Sequence, residues 1–198
     1  MGIEFELKFR ATEQVLAQIR QEIAGPEHLL NMHTTYYDTP SGSFSAKHFT
    51  LRCRQENDVR VCTLKTPAIG AGRQEWEVES DTIEDALSAL CKLGGPVEIL
   101  SMAKEGLLPI CGARFRRIAK TVCLEDTVVE LALDSGILAG KGQEIPLCEV
   151  EVELKSGSQT VCAAFAQHLA AHYGLSPEPY SKFRRALALY RGESYGSF

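Results

Sequence analysis

Charged and apolar side chains alternate over residues 3–9, 130–134 and 149–155, and this alternation is the most informative pattern in the chain. Because successive side chains of a strand point to opposite faces, each segment has one charged face and one apolar face. Glutamates that follow one another along a strand face repel, and therefore favour a bound cation or several basic partners. Two arginines, Arg52 and Arg54, alternate in the same way elsewhere. The pattern predicts a sheet with one strongly charged face.

The remaining periodicity and the turn residues predict the other elements. Apolar positions at helical spacing and capping residues predict helices over residues 13–24, 81–93, 98–106, 159–173 and 181–191. Alternating segments bounded by turn residues predict strands near 2–10, 32–38, 49–56, 59–66, 73–80, 113–123, 127–138 and 146–155. Since short turns join most consecutive strands, the sequence predicts about eight strands in a mostly antiparallel sheet.

Composition and charge are those of an ordinary globular protein. Of the 198 residues, 44% are hydrophobic and 24% are charged, which suits one large domain or two small ones. A net charge of −5 and a pI of about 5.6 argue against general binding to nucleic acid or to anionic membranes. Seven cysteines are scattered without a CxxC motif, and no apolar signal stretch is visible. We therefore expect a cytoplasmic protein with reduced thiols.

The charged face of the sheet has two interpretations. In most antiparallel sheets the charged face is solvated and the apolar face lines the core. Here acidic and basic residues are sorted onto different strands, whereas solvated surfaces usually mix the two signs. The predicted helices have apolar stripes, so they are suited to cover the outside of a sheet. We therefore predict an α+β fold, an eight-stranded antiparallel barrel or tunnel with a charged interior and flanking helices.

Short motifs follow one another along the chain in support of this fold. They are Glu4-Phe5-Glu6-Leu7-Lys8, Tyr36-Tyr37-Asp38-Thr39-Pro40, Leu51-Arg52-Cys53-Arg54, Thr63-Leu64-Lys65, Arg73-Gln74-Glu75-Trp76-Glu77, Phe115-Arg116-Arg117, Glu130-Leu131-Ala132-Leu133-Asp134, Cys148-Glu149-Val150-Glu151-Val152-Glu153 and Ser181-Lys182 with Arg185. In this order they resemble the signature of the CYTH superfamily, the triphosphate tunnel metalloenzymes, and most nearly its bacterial inorganic triphosphatases. The resemblance covers residues 2–186. We expect one domain over 1–198, with 187–198 as a tail, in a chain that can be part of a longer protein.

The resemblance implies a metal-dependent enzyme that hydrolyses inorganic triphosphate to pyrophosphate and phosphate inside the tunnel. The metal, Mg²⁺ or Mn²⁺ and two ions in number, would be held by Glu4, Glu6, Glu149, Glu151 and Glu153. The substrate would be held by Lys8, Arg52, Arg54, Lys65, Arg117, Lys182 and Arg185. The residues implied for catalysis are Glu4, Glu6, Lys8, Glu75, Glu130, Asp134 and Lys182. Guanidinium forks and ammonium groups suit phosphate oxygens, and hard divalent cations suit carboxylates.

Other functions are open on the same scaffold. A class IV-type adenylate cyclase, or a thiamine or nucleoside triphosphatase, would use a similar charged interior, and fold alone does not decide chemistry. A non-catalytic polyphosphate-binding module is a third alternative. The chain also departs from the family pattern at Ala119-Lys120. Arg114 and Arg116 are additional bases that point to the opposite face of their strand from Arg117. The sequence leaves open whether any of these bases enters the tunnel.

Individual residues also have simpler interpretations. Arg52 and Arg54 are able to pair with Glu75 and Glu77 of a neighbouring strand, although pairing and phosphate binding are compatible. Lys182 lies in a predicted helix, where a solvated lysine is ordinary.

Overall fold

The computed structural model describes residues 5–67 and 73–193. The strands of this part are β1 (Glu6–Arg10), β2 (Glu27–Asp38), β3 (Thr50–Glu56), β4 (Val59–Pro67), β5 (Arg73–Glu79), β6 (Leu108–Leu124), β7 (Thr127–Gly140), β8 (Gln143–Ser156) and β9 (Ser176–Pro177). The helices are α1 (Glu13–Glu22), α2 (Ser43–Ala46), α3 (Ile83–Lys92), α4 (Glu98–Met102), α5 (Gln159–Tyr173) and α6 (Lys182–Arg191), with a 3₁₀ turn, Ala103–Glu105, after α4. None of the helices in these two ranges has both the length and the apolar character needed to cross a membrane.

The strands form one antiparallel sheet in the order β5-β4-β3-β2-β6-β7-β8-β1-β9. The flanking helices and the antiparallel sheet confirm the predicted fold class. The described part has nine strands instead of eight because the two residues of β9 pair with β1. Strands β2 and β6 begin earlier than predicted. The two strands pair with each other, and this pairing keeps residues extended whose own sequence does not alternate.

Four helices begin at hydroxyl N-caps. The side chains of Thr12, Thr82, Ser158 and Ser181 each accept a hydrogen bond from the backbone amide three residues further on. Such a cap satisfies an amide that the helix leaves without a partner, and it contributes about 1 kcal/mol. The Ser181 cap matters most here, because it fixes the start of α6 directly before Lys182.

One face of the sheet is apolar and is covered by helices. Helices α1 and α5 pack on β1, β6, β7 and β8 around Leu131, Val150 and Val152. Helices α2, α3 and α4 pack on β3, β4 and β5 around Leu64 and Trp76. Because side chains alternate along each strand, these two cores leave the charged face on the other side of the sheet.

Helix α6 packs on the charged face instead. Its residues Ala186 and Leu189 belong to a separate apolar core with Leu138 of β7. The expectation that the helices cover the outside of the sheet was therefore wrong for α6. Gly140 permits the close approach, because a Cβ atom there would lie 2.6 Å from the backbone nitrogen of Tyr190. The first turn of α6 consequently reaches the charged residues.

Cys53 of β3 and Cys62 of β4 form a disulfide bond. The two residues are direct partners in the antiparallel register, and both are buried in the core beneath α3. The expectation of reduced thiols was wrong for this pair, because scattered spacing does not reveal which cysteines become neighbours across strands. The other five cysteines are free.

Candidate active site

Charged side chains of β1, β8 and β7 form three rows across the sheet. The register places Glu6, Glu153 and Glu130 in the first row, Lys8, Glu151 and Ala132 in the second, and Arg10, Glu149 and Asp134 in the third. Alternation alone put these residues on one face of their strands, but only the strand order brings the rows together. So many neighbouring carboxylates require basic partners or a cation.

Three of these carboxylates, on Asp134, Glu149 and Glu151, converge on one lysine. Oxygen atoms of the three lie within 4.8 Å of one another. The Nζ atom of Lys182 lies 2.9 Å from Asp134, 2.5 Å from Glu149 and 2.6 Å from Glu151. Asp134 and Glu149 are fully buried. Helix α6 therefore carries a cation into the centre of this set.

Two arginines complete the balance of charge. Arg117 donates to both oxygens of Asp134 at 2.7 Å, and it also donates to Glu151. Arg185 donates to Glu149. Three carboxylates are thus matched by three cations, as buried charges require. We call these six residues the acidic group: Asp134, Glu149, Glu151, Arg117, Lys182 and Arg185.

Burial and neighbouring charges shift pKa values within the acidic group. Burial raises the pKa of Glu149 to about 7, although Lys182 opposes this shift. Burial also acts on Glu151, but Lys182 and Arg117 outweigh it and hold the pKa of that carboxyl well below its usual range. Burial disfavours the charge on Lys182, yet Asp134 and the two glutamates raise its pKa above the ordinary value. Lys182 therefore stays charged, while the charge of Glu149 changes near neutral pH.

A second set of charges lies on β3, β4 and β5. The Nη2 atom of Arg52 lies 3.5 Å from Glu75 and 3.4 Å from Glu77, and the Nζ atom of Lys65 lies 2.8 Å from Glu75. Since β4 separates β3 from β5, Arg52 reaches across a whole strand to these partners. The simpler interpretation of Arg52 as a pairing residue therefore holds. With Arg54, these residues form what we call the basic group.

Arg54 pairs differently from the expectation that it meets Glu75 or Glu77. Its Nη1 atom lies 3.3 Å from Glu56 and its Nε atom donates to Thr34 at 3.2 Å. Burial lowers the pKa of Arg54, and repulsion from Arg52 and Arg117 lowers it further. Arg52 of the basic group and Arg117 of the acidic group are thus near enough to Arg54 to repel its charge. A multivalent anion would relieve this repulsion.

The predicted site residues of the described part lie on one side of the sheet, and most belong to the two groups. The others, Glu6, Lys8, Glu130 and Glu153, lie on the neighbouring strands β1, β7 and β8. Lys8 lies 3.3 Å from Glu6. Glu153 and Glu130 lie 2.9 and 3.6 Å from Lys155, which the sequence did not single out. Glu4 lies outside the described residues.

Three bases whose position the sequence left open lie on the outer face. Lys120 donates to two backbone carbonyls at the C-terminal end of α1, each at 2.6 Å. A cation is favourable at this end of a helix dipole. Arg114 pairs with Glu144 at 2.5 Å, and Arg116 is exposed beside α1. These bases do not reach the charged face.

Sequence reasoning missed Glu178, a buried carboxylate in the loop before α6. Its Oε2 atom accepts hydrogen bonds from Arg10 at 2.9 Å and from Arg185 at 3.4 Å. Its Oε1 atom accepts from the amide of Tyr180 at 2.9 Å, and its own amide donates to the carbonyl of Lys8 at 2.9 Å. Because a loop residue follows no strand or helix period, no sequence pattern marked it.

The acidic group fits a divalent cation by its donor chemistry. Mg²⁺ and Mn²⁺ take carboxylate oxygens and retain several waters. Among residues 5–67 and 73–193, Asp134, Glu149 and Glu151 are the set whose oxygens converge closely enough to share an ion. Lys182 neutralises the same oxygens, so a bound cation and this ammonium group compete for them.

The described part of the chain thus forms an antiparallel sheet with rows of carboxylates and arginines on one face. The CYTH domain model matches residues 2–187, and the chain belongs to this family, as predicted. It is 28% identical over 192 residues to the inorganic triphosphatase of Haemophilus influenzae, a match that covers 94% of this chain and 54% of that protein. The chain thus spans about half the length of this curated relative.

Solved structures share the fold. The chain matches HpAC1 from Hippeastrum, described as having a dominant triphosphatase activity, with a TM-score of 0.67 and 18% identity over 98% of each chain. It matches a Bacillus halodurans protein described as a candidate adenylate cyclase with a TM-score of 0.63 and 20% identity, over 92% of this chain and 96% of that one. At these identities the likeness establishes the fold and not the activity.

Proposed function

We propose that this chain hydrolyses inorganic triphosphate to pyrophosphate and phosphate, with a divalent cation held on the charged face. The two largely buried arginines on one face of β3, Arg52 and Arg54, carry the proposal, and repulsion from Arg52 and Arg117 adds to burial in lowering the pKa of Arg54. A compact, multiply charged anion balances such a cluster better than a single carboxylate does. The Haemophilus influenzae relative supports this choice of anion.

The basic residues would bind the phosphates. Arginine forks bind two phosphate oxygens at once, while Lys8, Lys65 and Lys182 would act as compact charges. Lys65 and Arg52 already share Glu75. Because these two cations share one carboxylate, a phosphate would add an anion beside Arg52 and Lys65 without displacing Glu75.

The cation would be held by Glu6 of β1 and by Glu149, Glu151 and Glu153 of β8, with Asp134 beside them. The family resemblance also implies Glu4, which lies outside the described residues. When bound, the cation supplies charge neutralisation at the phosphates and lowers the pKa of a bound water. The contribution of the chain itself is to align the phosphates and to place a carboxylate beside the attacking water.

Hydrolysis would proceed by in-line attack on the terminal phosphorus. The water oxygen forms the new P–O bond, the bridging P–O bond breaks with its electron pair going to pyrophosphate, and a carboxylate takes the water proton. Glu130 suits this role better than Asp134, because both oxygens of Asp134 accept hydrogen bonds from Arg117. Arg54 and Arg117 would stabilise the charge that develops on the bridging oxygen.

Phosphate release tests the proposal directly. We expect the fastest release from triphosphate, slower release from thiamine triphosphate and ATP, and none in the presence of a chelator. Cyclic AMP formation from ATP at a comparable rate would favour a cyclase. Tight triphosphate binding without turnover would favour a binding module.

Variants test the proposed residues. Glu6→Gln and Arg54→Ala should each lower kcat by about 10² or more, because one charge contact to the transition state is worth a few kcal/mol. Arg114→Ala is the matched control, since it removes an arginine from the outer face, and kcat should stay within about twofold. Circular dichroism confirms folding of each variant. A folded Arg54→Ala variant with the wild-type kcat would contradict the proposed site.

A further inference from the structure

Glu178 lies where the loop before α6 meets β1. Its side chain is fully buried, and its backbone amide is bonded to the carbonyl of Lys8. Glu178 therefore links β1 to α6, because its amide bonds to Lys8 of β1 and its carboxylate accepts from Arg185 of α6. A buried carboxylate in this position is costly unless cations accompany it.

The two cations that accompany Glu178 differ in their position. Arg10 is about half exposed and reaches Glu178 from the edge of the sheet, with Nε 2.9 Å from the carboxylate. Arg185 is buried, and its Nη1 atom lies 3.4 Å from Glu178 while its Nη2 atom donates to Glu149. One guanidinium group thus bridges Glu178 and a carboxylate of the acidic group.

We propose that Glu178 is a positioning residue that acts through Arg185 to keep Glu149 available to the divalent cation. The inference rests on the proposed function, since the cation belongs to that site. Because Arg185 interacts with both Glu178 and Glu149, its interaction with Glu149 is weaker than it would be if Glu178 carried no charge. Without the Glu178 carboxylate, Arg185 binds Glu149 more strongly and the site gains one unit of positive charge. Both changes oppose cation binding.

Binding of Mn²⁺ without any substrate tests the inference, measured by electron paramagnetic resonance of the free ion. Glu178→Gln keeps the size of the side chain and removes its charge, and the Kd for Mn²⁺ should rise about tenfold, as for other residues that orient metal ligands. Arg10→Gln removes the other partner of Glu178, and the Kd should change less than threefold. A wild-type Kd in Glu178→Gln, or an equal loss in Arg10→Gln, would overturn the inference.

A second pair of variants tests the route through Arg185 and covers the case in which Glu178→Gln does not fold. The double variant Glu178→Gln/Arg185→Met removes both members of the buried pair, which avoids an unbalanced charge. It should bind Mn²⁺ within threefold of Arg185→Met alone, because Arg185, the residue that links Glu178 to Glu149, is absent from both variants. A larger difference would overturn the inference. Since no substrate is present, a failure to hydrolyse triphosphate leaves this result intact and concerns the proposed function alone.

Discussion

Replacement of Lys182 by Met tests whether α6 supplies the charge that balances the acidic group. The variant keeps an unbranched side chain in the first turn of α6 and removes the ammonium group that lies 2.5 to 2.9 Å from three carboxylates. Burial raises the pKa of Glu149 to about 7 while Lys182 opposes this shift, so the loss of Lys182 raises the pKa of Glu149 further. Two arginines then face three buried carboxylates, so the acidic group has one cation fewer than in the wild type.

The expected cost follows from the burial of the site. Removal of one member of a buried charge cluster costs about 3–5 kcal/mol, and the three contacts of Lys182 do not add independently. With a urea m-value of about 2.5 kcal/mol/M, the midpoint of unfolding should fall by about 1–2 M. Lys155→Met is the matched control, because Lys155 is 42% exposed and pairs with Glu130 and Glu153. Its loss should cost less than about 1 kcal/mol.

A divalent cation should restore part of the stability lost in Lys182→Met. Because the ammonium group no longer competes for the oxygens, Mn²⁺ at about 100 times its Kd would contribute about 2.7 kcal/mol, more than the same concentration contributes to the wild type. Urea unfolding at pH 8, with Mn²⁺ and with chelator, measures both effects. Equal midpoints for Lys182→Met and Lys155→Met, or equal stabilisation of variant and wild type by Mn²⁺, would refute this account of the acidic group.

Two further predictions concern the position of α6 and the cysteines. Gly140→Ala places a Cβ atom 2.6 Å from the backbone nitrogen of Tyr190. We expect the free energy of unfolding to fall by about 1–3 kcal/mol and kcat to fall as α6 moves away from the acidic group. An unchanged urea midpoint would contradict the close packing. Alkylation in denaturant without a reductant, followed by mass spectrometry, should label five of the seven cysteines, and prior reduction should add Cys53 and Cys62; seven labels without reduction would disprove the disulfide.

Helix α6 shows where sequence reasoning stops. The family resemblance singled out Lys182, and the bounds of α6 follow from local sequence. Its position on the charged face does not, because it depends on a contact between Gly140 and residues about 50 positions away. The same limit applies to Cys53 and Cys62, which become partners only through the register of β3 and β4.

The sequence by itself determined eight of the nine described strands, the charged face and the family, because alternation and short motifs can be recognised without knowledge of the fold. It also determined most of the residues that meet on that face. The tertiary structure decided which charges pair, since Arg117, Asp134 and Lys182 come from three elements that only strand order and helix packing bring together. It also disclosed Glu178, whose burial and arginine partners depend on the loop before α6 and on no repeating pattern.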